Sequence, residues 1–298
     1  MTASIVILGE ALMDCITQDD GSLLPLMGGS PFNLARAAAL QGGRVGYLSP
    51  FSSDSFGQQL KALCLADGVQ ALSPDSRHPT SLAVVTLRHG QPSYGFYREG
   101  IADRDYQPAA VLERLRALPP GVLHTGSLML VPPENEKIMA VIAGARQLGW
   151  TISIDVNLRP RVAQDLGAYC AAVMQAVELA DWVKASDEDL HILGFADASF
   201  DSAVLHLILA VVPQPAHCFA EIARVMKPGG QVLVFDKFLR RRQVAPLRRL
   251  LNPLVRRVAT RLDVVFEDLL SEAPGLALEH DQPALAGGWF RMIRLRKV

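Results

Sequence analysis

Short apolar segments alternate with Ala/Leu-rich segments along the first two-thirds of the chain, and this alternation constrains the fold most strongly. "SIVILGE" (4–10) is β-rich, and "SPFNLARAAALQG" (30–42) opens with Ser-Pro and stops at glycine, as helices do. The order returns in "GVLHTGSLML" (121–130), a helical pattern from Glu134 to Leu148, and "TISIDVNL" (151–158). Alternating strands and helices favour parallel pairing. The sequence therefore predicts an α/β fold with a doubly wound, mostly parallel sheet.

One segment departs from this alternation. "TSLAVVTLRHGQPSYGFYREG" (80–100) contains two β-rich runs separated by the turn-like "RHGQPS", with no helix between them. We therefore expect a β-hairpin inserted in the βαβ series.

Composition predicts a folded, intracellular protein. The chain has 298 residues, is 50% hydrophobic and has a mean hydropathy of +0.20, which suffices for a large core. Its four cysteines include no C-x-x-C pair, which argues against a disulfide framework or a thiolate zinc site. No apolar run reaches ~18 residues and no secretory signal pattern precedes the first strand, so we expect a soluble, cytoplasmic protein.

The net charge of −1 hides an asymmetry between the two parts of the chain. Residues 196–298 carry 15 Lys/Arg against 10 Asp/Glu, whereas residues 1–195 carry 14 against 20. The basic excess lies mainly in the run Arg240–Arg261. We interpret this run as a solvated helix face, with an anionic phosphate or membrane surface as the alternative. No nucleic-acid or membrane partner is expected.

Residues suited to a polyol surround the first predicted helix. Gly28 and Gly29 precede the helix start, and glycines let a ligand approach the backbone closely. Asp14 follows the first strand and accepts hydrogen bonds from hydroxyls, whereas Asn33 both donates and accepts. A sugar needs this combination, although each residue alone also fits a turn or a helix cap.

Seven segments occur in an order that resembles one family. They are "GEALMD", "GGSPFNLARAAALQG", "SSDSFGQQL", "PTSLAVVTL", "FYREGIADR", "SIDVNLRP" and "DWVKASDEDL". Together they span about residues 4–194 and resemble the first two-thirds of a ribokinase/PfkB-family sugar kinase, in particular a fructokinase or a 2-keto-3-deoxygluconate kinase.

The resemblance implies site residues, a cosubstrate and partners. The residues implied to bind the substrate are Asp14, Gly28, Gly29, Asn33, Arg98 and Arg159. Those implied to lie in the phosphate and magnesium region are Asp155, Asn157, Ser186 and Asp189, the last two standing where the family has N-x-x-E. The resemblance further implies a β-lid (about 15–30 and 80–105), a sugar substrate, Mg-ATP, and a homodimer formed through the lid.

One element of the family pattern does not occur in the sequence. Phosphoryl transfer in these kinases depends on a late Gly-Ala-Gly-Asp stretch, whose amides form an anion hole and whose Asp is the base. No "GAGD" is found, and the nearest stretch, "LAGGW" at Leu285–Trp289, has no acid in place. The catalytic base is therefore unassigned, and an inactive kinase-like protein is an open alternative.

The remainder of the chain, about residues 196–297, resembles the C-terminal half of a class I S-adenosylmethionine-dependent methyltransferase. "FDSAVLHLIL" and "QVLVFDKF" would be parallel strands, "PAHCFAEIARVMKPGG" a helix, and "EHDQP" and "GWFRMIRLR" terminal antiparallel strands. The cofactor-binding turn of such enzymes would lie upstream of residue 196, so S-adenosylmethionine binding is not expected. His206 lies near a substrate-facing position, but we expect a core residue.

These resemblances predict a chimera of two regions, 1–195 and 196–298, whose sheets could be continuous. Three functions stay open: an ATP-dependent carbohydrate kinase, a non-catalytic sugar-binding scaffold, and a methyltransferase-like module. We expect no resident metal.

Overall fold

The computed structural model describes residues 4–88, 91–239, 263–285 and 288–298. The basic run Arg240–Arg261, for which a solvated helix face was predicted, lies outside the described residues. The chain forms two compact units, Met1–Asp189 and Leu190–Val298. We describe each unit by itself, and the predicted boundary at residue 195 stays a prediction.

The first unit contains a six-stranded parallel sheet in the order β10-β9-β8-β1-β4-β5. Its strands are β1 (Ser4–Ile7), β4 (Arg44–Tyr47), β5 (Gln70–Ala71), β8 (Val122–Gly126), β9 (Thr151–Asp155) and β10 (Trp182–Lys184). Its helices are α1 (Ser30–Leu40), α2 (Ser55–Ala66), α3 (Pro108–Arg116), α4 (Asn135–Gln147) and α5 (Leu166–Glu178). The predicted α/β fold with a mostly parallel sheet is confirmed.

Local sequence explains where these helices begin. Pro31 follows Ser30 at the start of α1, where the missing amide hydrogen of proline costs no helical bond. The Asp54 carboxylate accepts from the amide of Gly57 at the start of α2, and Asp165 accepts from Ala168 at the start of α5. These caps determine where each connection leaves the sheet.

A second sheet of this unit contains the expected hairpin. Strands β2 (Leu12–Thr17), β3 (Leu23–Gly28), β6 (Ser81–Arg88) and β7 (Gln91–Tyr97) pair in the order β3-β2-β6-β7. The pairs β2–β3 and β6–β7 are antiparallel, and β2 runs parallel to β6. We call this four-stranded sheet the lid. It overlaps both segments for which the resemblance implied a lid, about 15–30 and 80–105.

The second unit has a sheet of its own. Strands β11 (Phe200–His206), β12 (Met226–Lys237), β13 (Leu276–Leu285) and β14 (Phe290–Lys297) pair in the order β11-β12-β14-β13, with β11 and β12 parallel and the other pairs antiparallel. The described helices are α7 (Pro215–Val225) and α8 (Phe266–Ser271), while α6 (Asp187–Leu193) crosses the unit boundary. Among the described residues the tail strands therefore pair with one another, and the possibility that they continue the first sheet is not realised.

The prediction that His206 is a core residue is also wrong. Its neighbour Leu205 is buried in the core of the second unit, and alternation along β11 directs His206 to the opposite, exposed face. There its ring stacks on Phe235, with 5.4 Å between centroids.

Among the helices that the structure describes, none is long and apolar enough to cross a membrane.

Candidate functional site

Polar side chains collect where the parallel strands of the first unit end. Glu10 follows β1, Ser127 follows β8, Asp155 ends β9 and Lys184 ends β10. The carboxyl ends of parallel strands meet at one edge of a sheet, where α/β proteins commonly bind ligands. The sequence order of strand and helix therefore places these four residues on the same edge.

Two glycines lie directly before α1, where a side chain would collide with neighbouring atoms. A β-carbon on Gly28 would overlap the Oδ2 atom of Asp14, because the Asp14 carboxylate lies directly against this glycine. Gly29 has φ 111°, and a β-carbon there would lie 2.5 Å from the carbonyl oxygen of Glu10. Gly29 therefore requires glycine, whereas a side chain at Gly28 would displace the Asp14 carboxylate; together the two glycines bring the backbone before α1 next to a carboxylate.

Asp14 and Arg159 interact electrostatically. Partial burial raises the pKa of Asp14 above its ordinary value, and the positive charge of Arg159 opposes this rise. The Arg159 side chain is also fixed by donating from Nη1 to the carbonyl oxygen of Leu158 at 3.1 Å. Two residues that the resemblance implies at the substrate therefore interact electrostatically.

Asp155 connects the end of β9 to α1. Lys184 Nζ lies 2.9 Å from both carboxylate oxygens, and Ser30 Oγ donates to Oδ2 at 3.2 Å. Asp155 itself is buried, whereas Lys184 is largely exposed. The ion pair therefore has an exposed cation, while its buried carboxylate ties the start of α1 to the sheet.

Asn157 also contacts a neighbouring strand end. It has φ 38°, and its Nδ2 atom donates to Ser127 Oγ at 3.2 Å. Positive φ is tolerated better by asparagine than by most residues. This contact joins the segment after β9 to the segment after β8.

Ser186 and Asp189 form a reciprocal cap at the start of α6. Asp189 Oδ2 accepts from the amide of Ser186 at 2.8 Å, and the amide of Asp189 donates to Ser186 Oγ at 3.1 Å. The other oxygen, Oδ1, accepts from the amide of Leu158 at 2.8 Å, and Asp189 is only 3% exposed. These bonds give both residues a structural role; their contact with magnesium or phosphate stays a prediction.

The remaining expected residues occupy different environments. Arg98 follows the last lid strand and is buried, and its Nη2 atom donates to Asp103 Oδ1 at 3.0 Å. Asn33 lies in the first turn of α1 and is exposed, so its amide is open to a ligand. No cluster of three or more His, Cys, Asp or Glu side chains with metal-binding geometry occurs within the described ranges.

Motif matching missed three residues of this site: Glu10, Ser127 and Lys184. Each directly follows or ends an apolar strand in the printed sequence, which is the signal that would have found them. Burial raises the pKa of Glu10 to about 7, against the opposing charge of Arg98. A carboxyl group that titrates near neutrality distinguishes this edge of the sheet.

His124 lies on β8 of the same parallel sheet, but its side chain is buried. Its Nδ1 atom is 3.0 Å from Ser153 Oγ, and burial lowers its pKa to about 4. The imidazole is therefore neutral at ordinary pH and belongs to the core of the sheet.

Comparisons with known proteins agree with this geometry. The family model described as "pfkB family carbohydrate kinase" matches residues 2–214. The fructokinase of Escherichia coli is 31% identical over 198 residues, which cover 65% of this chain and 63% of that protein. The fructokinase of Vibrio alginolyticus is 32% identical, covering 70% of this chain and 69% of that protein. The chain thus spans under two-thirds of the Escherichia coli relative.

Two solved fructokinase structures are also similar to this chain. The Xylella fastidiosa fructokinase with bound ATP has a TM-score of 0.55 and 28% identity, covering 64% of this chain and 60% of that one. A double mutant of the Vibrio cholerae fructokinase, crystallised with fructose, ADP and potassium, has a TM-score of 0.56 and 27% identity, covering 78% of this chain and 70% of that one.

Proposed function

The chain belongs to the pfkB family of carbohydrate kinases, and from that premise we propose that it binds a ketose and phosphorylates one of its hydroxyls with Mg-ATP. The observation that carries the proposal is the contact of the Asp14 carboxylate with Gly28. A carboxylate beside a bare backbone accepts hydrogen bonds from sugar hydroxyls without steric obstruction. Fructose leads among the ketoses because fructokinases are the similar proteins.

Each expected substrate residue has a role in this proposal. Asp14 accepts from hydroxyls, while Gly28 and Gly29 leave room for the ring. Asn33 donates and accepts from the first turn of α1, and Arg98 closes the site from the lid. These assignments rest on the resemblance and on the proximity of Asp14, Gly28 and Gly29.

ATP supplies the phosphoryl group, and the cations at the carboxyl edge fit its phosphates in charge. Arg159 interacts electrostatically with Asp14, and Lys184 is exposed beside Asp155. Guanidinium and ammonium groups are the usual protein partners of phosphate oxygens. We assign no catalytic base, since the sequence has no Gly-Ala-Gly-Asp stretch.

The lid supports a further proposal, that two copies of the chain associate through it. Strand β3 is an edge strand, and four of its apolar side chains are exposed: Leu23, Leu24, Leu26 and Met27. Exposed apolar edge strands tend to pair with another chain. Sedimentation of the wild type and a Leu24→Lys, Leu26→Lys variant tests this, and an unchanged dissociation constant contradicts it.

For residues 196–297 we propose methyltransferase-like descent without methyltransferase activity, which would make the chain a chimera. The support is the order of elements: two parallel strands joined through α7, then two antiparallel strands. We expect no shift of the melting temperature with S-adenosylmethionine. A shift would contradict the absence of a cofactor site.

Thermal unfolding with fructose, 2-keto-3-deoxygluconate, ribose and Mg-ATP tests the kinase proposal. A ligand at ~100 times its Kd stabilises by about 2.7 kcal/mol, which moves the melting temperature by several degrees. We expect a shift with a ketose that is lost in Asp14→Asn but kept in Asp19→Asn, an exposed acid. Sugar-dependent release of ADP tests transfer; binding without release supports the non-catalytic alternative.

A further inference from the structure

Three buried charges lie where the lid joins the parallel sheet. Glu10 is in the connection from β1 to β2, and Arg98 directly follows β7. Asp103 lies in the short 3-10 turn between Arg98 and α3. Their exposed fractions are 2%, 8% and 2%. Charged side chains are rarely so buried without a specific partner, and here they lie in two of the connections between the two sheets, β1 to β2 and β7 to α3.

Hydrogen bonding within this cluster is incomplete. The described contacts include one bond, from Arg98 Nη2 to Asp103 Oδ1 at 3.0 Å. Glu10 Oε2, Asp103 Oδ2, and Arg98 Nε and Nη1 are buried with no hydrogen-bond partner among the described residues. Buried polar atoms are nearly always bonded in proteins, so unpaired ones indicate that a partner or a rearrangement completes them.

The groups that act on Glu10 are one cation, one acid and three neutral hydroxyls. They are Arg98, Asp103, the hydroxyl of Ser127, and the phenols of Tyr47 and Tyr169. Arg98 is the cation that acts on Glu10, and it also acts on Asp103, which Arg104 influences as well. The guanidinium of Arg98 is therefore attracted by Glu10 and by Asp103 together.

We propose that Glu10 and Asp103 are positioning residues that fix the guanidinium of Arg98 for contact with the sugar, and so determine the affinity for a ketose. The inference rests on the proposed function, in which Arg98 touches substrate, and extends it to two acids that the motifs did not single out. Asp103 accepts a hydrogen bond from Nη2 of Arg98, and Glu10 attracts the same guanidinium from the connection between β1 and β2. The unpaired donors Nε and Nη1 of Arg98 remain for sugar hydroxyls. A side chain fixed before binding loses less conformational entropy when the ligand arrives.

The protonation of Glu10 gives this arrangement a signature that a purely structural role lacks. Burial raises the pKa of Glu10 to about 7, so the side chain gains its charge between pH 6 and pH 8. Attraction to Arg98 strengthens as the charge appears. We therefore expect the Kd for the sugar to fall with rising pH across this interval.

Isothermal titration with fructose at pH 6, 7 and 8 tests the inference on the full-length chain. We expect the wild type to bind more tightly at pH 8 than at pH 6. Glu10→Gln should bind about tenfold more weakly than the wild type at pH 8, because Arg98 loses the attraction of the Glu10 charge, and it should show no pH dependence. Asp103→Asn should weaken binding at all three values, and Glu10→Asp should restore the pH dependence.

Asp105→Asn is the matched control, because Asp105 lies two residues away and accepts from Ser76 outside the cluster. Melting temperatures confirm that each variant is folded. Fructose binding by Glu10→Gln with the wild-type Kd or the wild-type pH dependence overturns the inference and leaves the proposed function standing. If the wild type binds none of fructose, 2-keto-3-deoxygluconate and ribose, both are overturned.

Discussion

The carboxylate of Asp14 occupies the space that a β-carbon on Gly28 would need. The two residues are on neighbouring antiparallel strands of the lid, where Asp14 pairs in register with Leu26 and Leu12 with Gly28. Lid pairing therefore brings the carboxylate to the glycine that precedes α1.

Gly28→Ala should weaken sugar binding without unfolding the protein. Gly28 does not have a positive φ, and the atom that a methyl group would displace is the end of a mobile side chain, so Asp14 rotates away. Losing the Asp14 hydrogen bond should raise the Kd for fructose about tenfold or more. Gly95→Ala on the same sheet meets no closer neighbour than 4.0 Å and is the control. An unchanged Kd in Gly28→Ala would contradict a role for this contact.

The wild-type protein should lose stability as the pH rises, and Glu10→Gln should abolish this pH dependence. The folded pKa of about 7 exceeds the unfolded value of 4.5, so the native state binds the proton more tightly and stability falls as pH rises from 4.5 to 7. The variant should lack this fall and be more stable than the wild type above pH 7, by up to about 3 kcal/mol. Urea unfolding at several pH values measures the difference. Parallel curves for the two proteins would show that Glu10 does not titrate there.

His124→Gln should have the opposite effect on the acid side. The folded pKa of about 4 lies below the unfolded value of 6.5, so the buried neutral imidazole contributes stability that is lost as pH falls from 6.5 to 4. As the pH falls, the free energy of unfolding of the variant should decrease less than that of the wild type, by at most about 3 kcal/mol. His280→Gln, an exposed histidine bonded to Gln282, serves as the control. A wild-type acid decline in His124→Gln would place the titration elsewhere.

Ser186→Ala should destabilise the protein, because it removes the hydroxyl that accepts from the amide of Asp189. Loss of such a cap costs about 1 kcal/mol, measurable by denaturant unfolding. Glu188→Gln changes an exposed acid in the same helix and should leave stability within about 0.5 kcal/mol. A destabilised Ser186→Ala that retains the wild-type KM for Mg-ATP would assign the serine to the cap and contradict its predicted contact with phosphate.

Several parts of the fold follow from local sequence. Strand and helix alternation predicts β1, α1, β8, α4 and β9, and Ser-Pro at residues 30–31 marks the start of α1. Asp14, Gly28 and Gly29 were identified from a glycine pair and a carboxylate near predicted elements. Such features depend on neighbours in the chain, so the sequence contains the information directly.

The long-range arrangement does not follow in this way. Glu10 is an ordinary acidic residue in the sequence, and its raised pKa arises from burial beside Arg98, which is 88 positions away. His206 was misassigned because the sequence does not say which face of β11 is covered. The tail strands form their own sheet because pairing between strands depends on tertiary contacts.

The sequence by itself determined the α/β class, the position of most strands and helices, and the membership of the family through motifs in fixed order. Tertiary structure alone decided which charged groups interact: Asp14 with Arg159, Asp155 with Lys184, and Arg98 with Glu10 and Asp103. The physical reason is that secondary structure depends on local hydrogen bonding and periodicity. Burial, electrostatic pairing and pKa depend on side chains that meet only after the sheets have formed.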